Sequence, residues 1–258
     1  MEITRVFDIL ENYKIIKPNQ PIALAHKKEG NWIKYSIDEY IYQTNLISAG
    51  LLYNGVKKGD TIAIISSNRA EYNIVDMAAM QIGAIPVPIY PTISESDYRY
   101  ILNHAEITFI FLEGEELLRK IEHIVPEIPT LKGIYTFVNR GRFHYFEQLI
   151  NLGKENLEID KINAIKATIT PNDVACMIYT SGTTGNPKGV MLSHQNITMQ
   201  LKMLQNTPAK WSDTAFSFLP ICHAYEKMIV YLYQYLGMSV YYAESLATIS
   251  ENIKEIHP

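Results

Sequence analysis

Between residues 60 and 112 short apolar runs alternate with capped, helix-forming stretches, and this alternation constrains the fold more than any other feature. Asp60-Thr-Ile-Ala-Ile-Ile-Ser66 has the length and β-branched content of a strand. Asn68-Arg-Ala-Glu71 then makes a cap-like start for a helix through Ile82, whose Val75, Met77, Ala78, Ala79 and Met80 leave it apolar nearly all round and therefore buried. The unit recurs: Ile85 to Ile89 reads as a strand, Ser94-Glu-Ser-Asp97 caps a helix through about His104, and Ile107 to Leu112 reads as a strand again. Strands and helices in this order predict an α/β fold of multi-stranded, largely parallel sheets covered by helices.

The flanking segments extend the pattern. Pro21 to Ser36 reads as two strands around a Glu29-Gly30-Asn31 turn, and Ser36-Ile-Asp-Glu39 is a capping box opening a helix. Ile37, Tyr40, Ile41, Thr44, Ser48 and Leu51 recur on its inward face and Gly55 marks its end. Ile134 to Val138 adds a strand. From Asn151 to Pro171 charged residues dominate without an apolar period, so residues 151–171 are expected to connect two sub-assemblies, 1–150 and 172–258. After that come strands at Val174 to Ile178 and around Val190 and Leu192, then a helix from Asn196 to Leu204. A strand at Ala215 to Leu219, a helix from Tyr225 to Leu236, a strand at Ser239 to Tyr242 and a capped helix after Thr248 complete the series.

Composition narrows the class. Apolar residues make up 47% of the 258, charged residues 19%, and the net charge is -4, the profile of a globular chain without the basic surface a nucleic acid demands. Cys176 and Cys222 lie far apart in apolar surroundings, which reads as two reduced core thiols and a cytoplasmic setting. The acidic start, Met1-Glu-Ile-Thr-Arg-Val-Phe-Asp8, is no signal peptide. The stretch Met228 to Ala243 is interrupted by Gln234, Gly237 and Ser239 and is shorter than the roughly 20 residues that span a bilayer. It reads as a buried helix followed by a strand; peripheral membrane contact stays open, although no strongly basic amphipathic helix argues for it.

The chemistry concentrates in Tyr179-Thr-Ser-Gly-Thr-Thr-Gly-Asn-Pro-Lys-Gly-Val-Met-Leu-Ser-His194, which follows an apolar strand. Gly182 and Gly185 let successive N–H groups converge on an anion, Thr180, Ser181, Thr183 and Thr184 add hydroxyl donors, and Lys188 adds a positive charge. These are phosphate-binding ingredients. The nucleotide P-loop, G-x-x-x-x-G-K-[ST], is excluded twice over: Pro187 stands for its second glycine and has no N–H to offer, and Gly189 stands for its hydroxyl residue. The serine-hydrolase elbow fails because Tyr179 occupies the place of its first glycine. The density and order of these residues also set the segment apart from an ordinary flexible surface loop.

Thr180-Ser-Gly-Thr-Thr-Gly-Asn-Pro-Lys-Gly189 resembles the signature of the AMP-binding, acyl-adenylate-forming superfamily. Gly59 to Glu71, Ile82 to Thr92 and Phe218-Leu-Pro-Ile-Cys-His-Ala-Tyr-Glu226 resemble its long-chain fatty acid–CoA ligase branch, and the likeness runs from about Phe7 to the last residue. The resemblance implies ATP, Mg²⁺ and coenzyme A as cofactor and co-substrates and a long-chain fatty acid as substrate. It further implies that Thr180, Ser181, Gly182, Thr183, Thr184, Gly185 and Lys188 hold the ATP phosphates, with Lys188 and His223 as the catalytic candidates and His223 beside the reacting carboxylate and adenylate. Tyr225 and Glu226 carry less weight, one as a core residue and the other as a charge at a helix N-terminus. Tyr90, Asn68 and Glu71 also match, yet a strand-end aromatic and a helix cap account for them. The tryptophan gate that some members carry just after the histidine has no counterpart here.

No metal ligand is assigned. The Mg²⁺-assisting glutamate, the ribose-binding aspartate and the lysine of a mobile C-terminal domain would all follow Pro258, so the chain is expected to be the N-terminal part of a longer enzyme with little ligase activity alone. A fatty acyl-AMP ligase that loads a carrier protein, and a non-catalytic nucleotide- or acyl-binding module, are the alternatives.

Overall fold

The computed structural model describes residues 2–138, 144–180, 185–205, 212–256 and 258. In chain order its elements are α1 (Asp8–Ile16), β1 (Leu24–Lys28), β2 (Asn31–Tyr35), α2 (Ile37–Tyr53), β3 (Thr61–Ile65), α3 (Ala70–Gln81), β4 (Ile85–Ile89), α4 (Glu95–His104), β5 (Ile107–Leu112), α5 (Glu115–Ile121) and β6 (Gly133–Thr136). There follow β7 (His144–Tyr145), α6 (Phe146–Glu155), α7 (Ile159–Ala167), β8 (Val174–Thr180), β9 (Lys188–Ser193), α8 (His194–Leu204), β10 (Thr214–Ser217), α9 (Ala224–Tyr235), β11 (Ser239–Tyr242) and α10 (Ile249–Ile256).

Local chemistry sets many of these boundaries. The Ser36 hydroxyl accepts from the Glu39 N–H while the Glu39 carboxylate accepts from the Ser36 N–H, and the Ser94 hydroxyl caps α4 by accepting from the Asp97 N–H. Glu29 and Gly30, with φ of 51° and 78°, give the β1–β2 hairpin its tight primed turn.

Five parallel strands in the order β4-β3-β5-β6-β7 form the larger sheet. Side chains alternate across it as the pleat requires. Ile62, Ile64, Phe109 and Phe111 pack into one buried cluster with α2 and α3, while Ala63, Ile65, Ile110 and Leu112 pack into another with α4 and α5. Both faces are therefore covered, which is why these strands read as continuous apolar runs. A second sheet, β10-β11-β1-β2, is parallel except at the β1–β2 hairpin, and it seats β1 between β11 and β2, so strands from opposite ends of the chain share it. The third is the antiparallel hairpin β8–β9, whose first strand runs beside β4. The α/β architecture is the one the sequence predicts.

All twelve residues of α3 are buried, including Asn73, Asp76 and Gln81. Helix α9 meets the first two, with Lys227 pairing with Asp76 at 2.7 Å, the Tyr231 hydroxyl donating to the other Asp76 oxygen at 2.5 Å and Gln234 donating to Asn73 at 3.1 Å, while Gln81 donates to Ser48 of α2 at 2.7 Å. Segment 151–171, without apolar period in the sequence, carries the end of α6 and all of α7. Here α6 lies directly on α2, because Gly153 faces the Leu46 backbone and Gly50 faces Leu149 at distances no side chain would allow. Among the described residues no helix is long and apolar enough to cross a membrane.

Candidate active site

The phosphate-loop candidate is the tip of the β8–β9 hairpin. Thr180 is the last residue of β8 and faces Lys188, the first of β9, so the strand pair brings the two ends of the loop together. Ser181, Gly182, Thr183 and Thr184 lie outside the described residues. Gly185 re-enters at φ 105°, a conformation that favours glycine, with open space where a side chain would stand. Gly189 is small for a different reason. A Cβ there would come within 3.1 Å of the cross-strand Tyr179 ring and 2.9 Å of the Met177 sulfur, so the position where a P-loop carries its hydroxyl residue is filled by Tyr179 and Met177.

Tyr179 is held in turn. Its hydroxyl lies 2.6 Å from His104 Nδ1, whose ring stacks on Tyr100, and burial pushes the Tyr179 phenol up to about 12. Behind the loop a cavity of about 280 Å³ is lined by Pro88, Ile89, Tyr90, Ile101, Thr180 and Gly185, among others, with Asp97 at its wall. One side is thus polar and tied to the loop, and the rest is the apolar end of β4.

Tyr90 joins this cavity to the second candidate segment. Its phenol lies beside the Cys222 thiol, and the Tyr98 hydroxyl donates to its carbonyl at 2.9 Å. Cys222 immediately precedes His223, the exposed N-cap of α9. The Tyr225 N–H donates to His223 Nδ1 at 3.2 Å, so the neutral ring carries its proton on Nε2, which is the nitrogen left to meet a ligand. Glu226, in the first turn of α9, is buried and accepts from Ser217 at 2.6 Å; burial raises its carboxyl pKa, and the Ser217 bond offsets part of that rise. Tyr225 is exposed rather than a core residue.

Asn68 does not cap α3. Arg69 occupies the cap position without a side-chain cap bond, and the Asn68 amide instead crosses to the β10–α9 connection. Glu71 is taken up by both Arg69 nitrogens at 3.0 Å. Asn68 and Tyr90 were passed over because each has a sufficient local explanation. The available signal was position: both follow the C-terminal ends of parallel strands, where open α/β sheets place their ligand sites. His104 was missed because nothing in sequence joins it to Tyr179.

Cys176 and Cys222 are buried free thiols, each pushed up to about 12 by burial, which makes them inert core residues. Among the described residues no group of three His, Cys, Asp or Glu side chains is gathered to hold a metal ion.

The chain belongs to the AMP-binding enzyme family, which matches it over residues 17–258. It is 30% identical over 251 residues to a long-chain-fatty-acid–CoA ligase (ACSBG2) of Xenopus laevis, covering 92% of this chain and 34% of that protein. To fatty acyl-CoA synthetase A of Dictyostelium discoideum it is 30% identical over 268 residues, covering 98% and 40%. The chain thus spans well under half the length of these relatives. Among solved structures, a long-chain-fatty-acid-CoA ligase (FadD1) from Archaeoglobus fulgidus superposes with TM-score 0.83 at 22% identity, over 98% of this chain and 50% of that one. The luciferase-like enzyme of the mealworm Zophobas morio superposes with TM-score 0.79 at 20% identity, over 98% and 56%. These two likenesses concern the fold.

Proposed function

We propose that the protein carrying this chain activates a long-chain fatty acid with ATP, forming the acyl adenylate and then, with coenzyme A, the acyl thioester. The observation that carries the reading is the Thr180–Lys188 loop at the hairpin tip, backed by an apolar cavity that Tyr90 connects to Cys222 and His223. Relatives named as long-chain fatty acid–CoA ligases support the substrate class. In this reading the acid's carboxylate oxygen attacks the α-phosphorus of ATP and the bond to the β-phosphate oxygen breaks, releasing pyrophosphate. The loop's N–H and hydroxyl donors from Thr180 to Gly185, with the Lys188 ammonium, hold the β- and γ-phosphates and stabilise the charge that grows on the leaving group. His223 Nε2–H hydrogen-bonds the carboxylate or the adenylate and fixes the line of attack. Magnesium would enter with the nucleotide and offset the charge of its phosphates, with no side chain of the described residues assigned to it. The buried, unpaired thiols support a cytoplasmic setting.

The test is fatty-acid-dependent ATP–pyrophosphate exchange, followed by thioester formation with coenzyme A or a phosphopantetheinyl carrier protein as acceptor. Exchange is expected to rise from short to long acids and to fall about tenfold or more in Lys188→Ala, the worth of a charge-assisted hydrogen bond. Exchange indifferent to added acid would overturn the reading, and thioester formation with the carrier alone would replace coenzyme A as acceptor.

A further inference from the structure

The β10–α9 connection, residues 218–223, has to hold His223 at a fixed place; Ile221 and Cys222 anchor it by burial, while Phe218, Leu219, His223 and Ala224 are exposed. Its exposed backbone is held by one side chain from about 150 residues earlier. Asn68 Nδ2 donates to the Leu219 carbonyl at 2.7 Å and to the Ser217 hydroxyl at 3.1 Å, while Asn68 Oδ1 accepts from the Ile221 N–H at 2.9 Å. Donor and acceptor of a single amide thus bind the backbone on both sides of Pro220. Ser217 passes the contact on, donating to Glu226 in the first turn of α9 at 2.6 Å, and the Pro220 carbonyl accepts from the His223 N–H at 2.9 Å. The loop is tied at its start, middle and end, and the ties at Ser217, Leu219 and Ile221 all lead to Asn68, three residues beyond β3.

Other buried polar groups do not offer as much. The buried His26 ring sets Nε2 3.4 Å from the Glu71 carboxylate, and neither of its nitrogens makes a hydrogen bond or reaches solvent. The Asp76–Lys227 pair lies deep between α3 and α9.

The geometry points to Asn68 as the positioning residue that sets His223 against the acid to be activated, acting through the 217–223 segment and touching no substrate itself. The inference rests on the adenylation reading above. It requires both halves of the amide: an acceptor for Ile221 and a donor for Leu219. Asn68→Ala removes both. Asn68→Asp keeps the acceptor but turns a carboxylate oxygen toward the Leu219 carbonyl, and only the protonated acid restores the donor.

Three readouts in the protein carrying this chain test it. Amide hydrogen exchange at Ile221 is expected to quicken in Asn68→Ala, and unchanged exchange there overturns the clamp whatever the protein's activity. Acid-dependent ATP–pyrophosphate exchange is expected to fall on the order of ten- to a hundredfold in kcat/KM for the acid while ATP affinity stays within about twofold. Equal losses in acid turnover, ATP affinity and thermal midpoint would reduce Asn68 to a general structural role and overturn positioning. The Asn68→Asp enzyme is expected to gain activity relative to the unsubstituted enzyme as pH falls and the new carboxyl protonates; a flat ratio overturns the donor requirement. Lack of acid-dependent exchange in the unsubstituted protein would count against adenylation, and the amide-exchange result then decides the clamp by itself.

Discussion

His194 opens α8 on the far side of the hairpin from the phosphate loop, and it is there as a neutral acceptor. The Val6 N–H donates to its Nδ1 at 3.1 Å, Phe7 packs edge-on against the ring at 5.4 Å, and burial lowers its pKa from 6.5 to about 4. Below about pH 6.5 the unfolded chain takes up a proton that the folded chain refuses. The stability tied to this residue is therefore complete above that pH and is lost as pH falls toward 4, a span worth about 3 kcal/mol. Urea unfolding at pH 7.5 and 4.5 is expected to show a loss in the native protein that His194→Gln shrinks by roughly 2 kcal/mol; equal losses would contradict it. At this scale the sequence was legible wherever partners are local. Ser36 with Glu39 and Ser94 with Asp97 announce their caps, and the glycines and Lys188 announce the loop. The contacts of Asn68, Tyr90 and His104 could not be read, because Ile221, Cys222 and Tyr179 become their neighbours only through the fold.

Among the elements, strands β3, β4, β5 and β11 were legible because burial on both faces writes itself as an unbroken apolar run. Helix α6 ends inside the stretch that looked like a connection. Its buried residues are Phe146, Leu149 and Gly153, and a glycine used as a contact surface carries no hydrophobic signal. Gly153→Ala is a sharp test of that contact, since the new methyl group would stand 2.0 Å from the Leu46 carbonyl oxygen, on backbone that cannot rotate away. It should part α6 from α2 and cost about 2 kcal/mol or more in chemical denaturation. An unchanged midpoint would show that the two helices do not cross so closely.

Across the whole molecule, α3 looked apolar all round, and its burial was rightly anticipated. Its polar minority was not, because Asp76 meets Lys227 and Tyr231 some 150 residues further on. These contacts bind the helix behind β3 and β4 to the helix that begins at His223, so the core that stabilises the chain also aims the candidate site. Lys227→Met strands Asp76 as a buried, unpaired charge and should cost about 3–5 kcal/mol, whereas combining it with Asp76→Leu should cost much less than the two changes separately. Additive losses in equilibrium unfolding would contradict the pairing. The larger claim is that the hairpin loop, with Pro187 and Gly189 where a P-loop has glycine and a hydroxyl residue, serves adenylation rather than phosphorylation. The nucleotide product decides it. With ATP, a long-chain fatty acid and hydroxylamine as trap, the protein carrying this chain is predicted to release AMP and pyrophosphate in equal amounts with the hydroxamate. Release of ADP and inorganic phosphate would contradict it.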